Sequence, residues 1–142
     1  MKRGAVRKMK LLTRNTDYAV RAVIYMAQKR DRLVSVPELT RALKVPGPFL
    51  RKILQILNKK GIAKSYRGIG GGFTLARASD KIYLMDIITV FQGPLKLNEC
   101  FLRRTLCPNR QKCPLKKRID KIERFVLSEL GSISIKDLEG GD

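Results

Sequence analysis

Apolar residues recur at intervals of three and four in several stretches of the chain, and the breaks between these stretches predict where helices begin and end. Thr13 to Arg30 is rich in helix formers and starts with a threonine that can cap the first turn, which predicts one largely buried helix. The next stretch begins at Ser35, three residues before Glu38, which is the spacing of a capping box. The residues that break the pattern before the third stretch are Val45, Pro46, Gly47 and Pro48.

The third stretch has an apolar side and a polar side. Its apolar stripe consists of Leu50, Ile53, Leu54 and Leu57. Gly61 is placed to end the helix as its C-terminal cap. The side chains left on the polar side are Arg51, Lys52, Gln55 and Lys59. Two short helices joined by a tight turn, the second exposing cations, predict a helix-turn-helix.

Two strand-like runs follow the third helix, IAKSYR and FTLA, and the glycine-rich loop GIGGG joins them. Glycines that cradle a phosphate run from a strand into a helix, whereas these glycines join strand to strand. The pattern therefore favours a hairpin wing behind a recognition helix.

The C-terminal half predicts a short helix in LMDIITVFQG, an irregular loop, and a long helix from Pro114 that stops at Gly131. The long helix carries an apolar stripe made of Leu115, Ile119, Ile122, Phe125, Val126 and Leu130. Either the rest of one small domain or a second copy of the chain could cover this stripe, and we favour a homodimer. Ser134 and Asp137 predict a last capped turn.

These elements predict a mainly α fold with a small β-hairpin wing: a winged helix-turn-helix plus a long dimerisation helix, in a single domain. We divide it into a basic extension (1–8), a DNA-binding unit (9–92), a cysteine loop (93–113), and a dimerisation helix with a C-terminal tail (114–142).

The charge of the chain points to a polyanionic partner. Lysine and arginine number 31 against 12 acidic residues, for a formal net charge of +19, and double-stranded DNA is the leading candidate. No apolar run approaches the roughly 20 residues that span a bilayer, and no apolar leader follows the basic start, so we expect a cytoplasmic protein. The sequence has no histidine, which removes the commonest general base and argues against an enzyme.

The cysteines form the second chemical feature of the sequence. Cys100, Cys107 and Cys113 are an odd number within one short loop, so they suit a ligand set or a redox switch better than a disulfide framework. Six and then five residues separate them, wider than the gaps of zinc knuckles and bacterial ferredoxins. Thiolates are soft ligands that suit iron–sulfur clusters.

From residue 9 to 138 the chain resembles the Rrf2 family of winged-helix transcription regulators. The resemblance is carried by MKLLTRNTDYAVRAVIYMA, by the wing YRGIGGGFTLA and by the three cysteines that follow. It implies that the recognition helix brings Pro48, Arg51 and Lys52 to base edges in the major groove, although Arg51 and Lys52 could instead contact phosphates alone. It also implies that Arg67 enters the minor groove. The glycines that would let the backbone approach DNA closely are Gly68, Gly70 and Gly71.

The resemblance further implies an iron–sulfur cluster, with four irons preferred and two irons possible. Members of the IscR type use a histidine at the position of Lys116, which has no lone pair while protonated. Members of the NsrR type use an aspartate from the partner subunit, and Asp17 falls on that position. The alternative for Asp17 is an acid that simply favours the start of its helix. The signal implied is nitric oxide, oxygen or iron–sulfur supply.

Three other functions remain open from the sequence. A regulator of the same fold could use its thiols as a redox switch without a cluster. A basic protein of this size could bind RNA structurally, and the cysteine loop could serve a ferredoxin-like electron carrier. Neither of the last two accounts for the helix-turn-helix together with its wing.

Overall fold

The helices and strands follow the order predicted for a winged helix-turn-helix. The computed structural model describes residues 10–97 and 113–140. Their elements are α1 (Arg14–Gln28), α2 (Val36–Leu43), α3 (Gly47–Lys59), β1 (Ala63–Tyr66), β2 (Gly72–Leu75), a short 3₁₀ helix (Ser79–Lys81), α4 (Leu84–Gln92), α5 (Pro114–Gly131) and α6 (Ile135–Glu139). The fold is mainly helical with one antiparallel hairpin, which confirms the predicted fold class.

Helix α1 lies at the centre of the core. Thr13 caps it, because its hydroxyl accepts a hydrogen bond from the Thr16 amide at 3.3 Å. Ala19, Ala22 and Val23 are completely buried, and α2, α3, α4, α6 and β2 all contact this helix. The small side chains let several elements approach one helix closely, which is why buried residues recur along it from Thr16 to Ala27.

The turn between α2 and α3 is tighter than the sequence predicted. Lys44 ends α2 in the left-handed conformation, with φ of 55°. Helix α3 then begins at Gly47, so Gly47 and Pro48 form its first turn rather than a break before it. Proline is tolerated there because its missing N–H would have no partner within the helix.

The segment after α5 packs against the DNA-binding unit near the start of α4. The amide of Leu84 donates to the carbonyl of Ile133 at 2.9 Å, and the amide of Ile135 donates to the carbonyl of Ile82 at 2.8 Å. Ile135 is completely buried in the same apolar cluster as α1. Ser134 and Asp137 cap α6 reciprocally, as the sequence predicted.

Helix α5 packs on the rest of the fold along only one edge of its apolar stripe. At 100° per residue, Val126 and the buried Leu130 lie on one edge. Leu115, Ile122 and Phe125 lie on the other and are 68%, 53% and 66% exposed. Gly131 is the last residue of the helix, and Ser132 follows as its cap. Over residues 10–97 and 113–140, no helix is both long and apolar enough to span a membrane.

Candidate DNA-binding surface and metal ligands

The recognition helix α3 presents its predicted polar face to solvent. Leu50, Ile53, Leu54 and Leu57 are buried, as expected from their spacing. The five candidate DNA-binding residues of this helix are all exposed: Pro48, Arg51, Lys52, Gln55 and Lys59. They project from the side of the helix opposite the core, so they form one continuous face. This face offers three cations and one amide, a set that can hydrogen-bond to phosphates and to base edges.

The wing follows α3 after a single sharp turn. Gly61 lies just beyond the helix with φ of +75°, as predicted for its C-terminal cap. Strands β1 and β2 pair in register from Ala63 opposite Leu75 to Tyr66 opposite Gly72. The side-chain oxygen of Asn58 in α3 accepts a hydrogen bond from the Ser65 amide at 3.3 Å. The recognition helix and the first wing strand are therefore joined by a polar contact as well as by chain connectivity.

The tip of the wing depends on glycine for two different reasons. Gly68 and Gly70 adopt φ of +101° and +77°, conformations that favour glycine. At Gly71 the reason is space, because a Cβ there would lie 2.3 Å from the carbonyl oxygen of Tyr66. Arg67, which begins this turn, is exposed. The predicted wing arginine thus stands beside a turn in which glycines flank a single side chain, Ile69.

The second wing strand is bound, close to the tip of the hairpin, to the loop between α1 and α2, a contact that local sequence patterns did not indicate. The amide of Val34 donates to the carbonyl of Phe73 at 2.9 Å, and the amide of Phe73 donates to the carbonyl of Val34 at 2.8 Å. A Cβ on Gly72 would lie 2.6 Å from the Val34 oxygen. Gly72 therefore permits the close approach that holds the wing against the helix-turn-helix.

A polar cluster braces the same loop. The carboxylate of Glu38 accepts hydrogen bonds from both terminal nitrogens of Arg32, one at 2.8 Å, and from the Tyr25 hydroxyl at 2.8 Å. The hydrogen bonds from Arg32 hold the pKa of Glu38 at about 2, below its usual value. Ser35 caps α2 by accepting from the Glu38 amide at 3.2 Å. Glu38 thus supplies its amide to the predicted cap while its carboxylate binds Arg32 and Tyr25.

The candidate metal ligands fall partly outside the described residues. Cys100 and Cys107 lie there, as does the extension 1–8. Cys113 is a half-buried free thiol at the residue that precedes α5. Asp17 lies in the first turn of α1, where its carboxylate accepts a hydrogen bond from Arg21 at 2.8 Å. Within residues 10–97 and 113–140, no three potential metal ligands lie together.

The first residues of the cysteine loop are attached at two places. Gln92, which ends α4, accepts from the Thr13 amide at 2.8 Å and donates to the Leu11 carbonyl at 3.2 Å. The amide of Leu97 donates to the carboxylate of Glu123 in α5 at 3.1 Å. Leu95 and Leu97 also line a cavity together with Leu11. The loop therefore leaves the fold beside the start of α1, the helix that carries Asp17.

Comparison with known proteins assigns this architecture. The family model for Rrf2, described as an iron-dependent transcriptional regulator, matches residues 12–140. The chain belongs to the Rrf2 family. A relative from Aquifex aeolicus, named as an HTH-type transcriptional regulator, is 36% identical over 123 residues, covering 85% of each chain. Protein aau3 of Rhizobium meliloti is 35% identical over 128 residues, 89% of this chain and 83% of its own length.

Two solved structures show the same Rrf2 architecture. CymR, described as the global cysteine regulator of B. subtilis, superposes with a TM-score of 0.81 at 25% identity, over 94% of this chain and all of CymR. IscR of T. potens superposes with a TM-score of 0.71 at 27% identity, over 92% of this chain and 85% of IscR. The family and these relatives identify the chain as a DNA-binding transcriptional regulator and not an enzyme. The Rrf2 assignment made from the sequence is confirmed.

Replacing Gly72 by Ala tests the link between the wing and the α1–α2 loop. The added Cβ would meet the Val34 carbonyl, so we expect a loss of about 1 to 3 kcal/mol in the free energy of unfolding. Gly131→Ala is the matched control, because a Cβ there has nothing within 4 Å and alanine favours a helix. Urea unfolding of both variants provides the measurement. Equal stability of the two would contradict the close approach.

Proposed function

We propose that this Rrf2 protein is a homodimeric, sequence-specific regulator that reads double-stranded DNA with α3 and the wing and senses its signal through an iron–sulfur cluster. One observation carries the DNA-binding part: the exposed polar face of α3 stands next to a glycine-rich wing that contains Arg67. A net charge of +19 supplies the attraction to a phosphate backbone. A structural RNA-binding protein or an electron carrier would not require an exposed polar recognition helix beside a glycine-rich wing.

The two DNA-contacting elements have different tasks in the proposal. Helix α3 enters the major groove, with Pro48, Arg51 and Lys52 towards the bases and Gln55 and Lys59 further along the same face. Arginine pairs well with guanine there, whereas lysine and arginine on phosphates add affinity without sequence information. Arg67 enters a narrow minor groove, where the negative potential is strongest over A·T-rich sequence.

The second copy of the chain covers the outer edge of α5. Leu115, Ile122 and Phe125 form an apolar patch that is more than half exposed in one copy. A helix exposing several large apolar side chains on one edge is a typical interaction surface. Pairing through this edge gives a two-fold dimer, and such a dimer can place two recognition helices on successive half-sites.

The donors for the cluster would be Cys100, Cys107, Cys113 and the partner subunit's Asp17. Their chemistry fits the group, because thiolates are soft ligands for iron and a carboxylate is a harder ligand that exchanges more readily. Cys113 is a free thiol with part of its surface exposed. Among residues 10–97 and 113–140, the Asp17 carboxylate forms an exposed ion pair with Arg21, which contributes little and is easily given up. When bound, the cluster would supply a group that reacts with the signal, and the family description as iron-dependent supports it.

The likeness to CymR supports a second candidate. CymR is described as a cysteine regulator, and this chain is 25% identical to it. In that candidate the three thiols act without a cluster, and they report a cysteine-related or redox signal by changing their own oxidation state. Nitric oxide and oxygen remain predictions from the resemblance to cluster-containing members of the family.

Arg67→Ala tests the wing, with Arg30→Ala as the matched control. Each variant loses one cation, but the exposed Arg30 lies 3.7 Å from Glu139 of α6, whereas Arg67 begins the turn at the tip of the wing. We expect Arg67→Ala to lose about tenfold in its preference for duplexes selected by the parent over random duplexes. Arg30→Ala should keep that preference. Fluorescence anisotropy at several salt concentrations measures both, and an unchanged preference in Arg67→Ala would refute the wing assignment.

Phe125→Glu tests the dimer. A buried charge within the α5 patch should split the dimer, so light scattering at micromolar concentration should give the mass of one chain. Arg124→Glu adds negative charge at an exposed residue on the opposite side of α5 and should stay dimeric. A parent protein that is monomeric, or a Phe125→Glu variant that remains dimeric, would contradict pairing through this surface.

Anaerobic purification with iron and sulfide analysis tests the cluster. We expect the parent to contain iron and sulfide, and Cys113→Ala to lose them, because the sequence offers no histidine as a replacement. Asp17→Ala should keep its fold and dimer but lose the cluster faster on exposure to air. Arg21→Ala is the control, since it breaks the same ion pair and leaves the carboxylate in place.

The iron and sulfide content of the parent decides between the cluster and the cluster-free thiol sensor, and the Asp17→Ala variant decides whether Asp17 is a ligand. A parent without iron and sulfide would contradict the cluster and favour sensing by the thiols themselves. If Asp17→Ala matches both the parent and Arg21→Ala in cluster lifetime, Asp17 is an acid that stabilises the start of its helix, and the fourth ligand lies elsewhere.

A further inference from the structure

The apex of the wing carries one large apolar side chain that is fully exposed to solvent. Ile69 is the most exposed of the large hydrophobic residues in the described part of the chain. Burying an isoleucine side chain is worth about 1.5 to 3 kcal/mol, so leaving it in water gives up a favourable contribution to folding. Single exposed apolar residues are common on surfaces, and its position on the hairpin is what makes this one informative.

The apex holds Ile69 in a defined orientation. The amide of Gly71 donates to the carbonyl of Gly68 at 3.0 Å, which closes a four-residue turn with Ile69 and Gly70 at its centre. Gly70 has φ of +77°, the value that a type II turn requires at its third residue. The second residue of such a turn favours proline and has no need of a β-branched side chain. The turn therefore accounts for the glycines but not for the isoleucine.

The surroundings of the apex fit DNA as the occupant. Arg67 is exposed two residues before Ile69, and the Lys64 ammonium lies 5.5 Å from the centre of the exposed Tyr66 ring on the same hairpin. The glycines on both sides of Ile69 leave a narrow backbone, and the minor groove of DNA is about 6 Å wide. Cations next to an isolated apolar tip match a groove whose phosphates attract positive charge and whose sugars and base steps offer apolar surface to a wedge.

We propose that Ile69 is an apolar wedge: when the wing enters the minor groove, its side chain presses against a base step, partly unstacks it and bends the duplex. The inference rests on the proposed DNA-binding mode, and it adds a residue that sets affinity through DNA deformation. Pyrimidine–purine steps such as TA unstack most easily, so the wedge selects for a flexible step at a position without base hydrogen bonds.

The experiment compares Ile69→Ser with Ile69→Leu on duplexes that the parent protein enriches from a random-sequence library. Ile69 is fully exposed to solvent, so both variants should fold as the parent does. Ile69→Ser should lose about tenfold in affinity for the enriched duplexes and bend them less, as measured by energy transfer between the duplex ends. Ile69→Leu should restore both. On random duplexes, where binding depends on phosphate charges, the affinities of all three should agree within about twofold.

Four outcomes decide the matter. Loss in Ile69→Ser with restoration in Ile69→Leu supports the wedge. Unchanged affinity and bend in Ile69→Ser overturns it and points to a protein partner for the apex. Equal loss in both variants also overturns it, because the turn and not the apolar group would then matter. If the parent enriches no sequence at all, the proposed DNA-binding function itself fails.

Discussion

The close packing around α1 is the constraint on which the rest of the structure depends. Ala19 and Ala22 are completely buried, and their small side chains let α2, α3, α4, α6 and β2 contact one helix. Protein interiors are packed as densely as organic crystals, so a larger side chain at either position would have to push apart elements that belong to different parts of the site. The recognition helix, the wing and the C-terminal helix α6 are therefore all positioned by their packing against α1.

The wing is held against the helices by backbone hydrogen bonds together with the packing of Ala63, Phe73 and Leu75 on the core. A two-stranded hairpin is marginally stable by itself in water, and this one has four residues in each strand. Val34 pairs with Phe73 and extends the hairpin towards the α1–α2 loop, which Glu38 and Arg32 brace in turn. The orientation of Arg67 relative to α3 therefore depends on Val34 and Phe73, which are not among the predicted DNA contacts.

The features that the sequence predicted correctly are those fixed by neighbours along the chain. Thr13, Ser134 and Gly61 lie at the helix ends their chemistry suggested, because a cap depends on residues within one turn. The Val34–Phe73 pairing and the hydrogen bond from Gln28 to the Glu139 carbonyl join residues far apart in sequence, so spacing could not reveal them. Spacing gave the polar face of α3, but phosphate and base contacts use the same donors, so the partner of each cation could not be deduced.

The attachment of residues 92–97, which lead into the cysteine loop, suggests a route by which a signal there would reach DNA in the proposed function. Gln92 ties the entry to the loop to Leu11 and Thr13, immediately before the first turn of α1. In the proposed dimer, a change in the loop would act on that turn and, through Asp17 as a ligand, on the same helix in the partner. Because α1 packs directly against α3, even a small displacement alters the separation of the two recognition helices in a dimer. DNA half-sites have a fixed spacing, so affinity would respond steeply to that separation while the basic face of each α3 stayed unchanged.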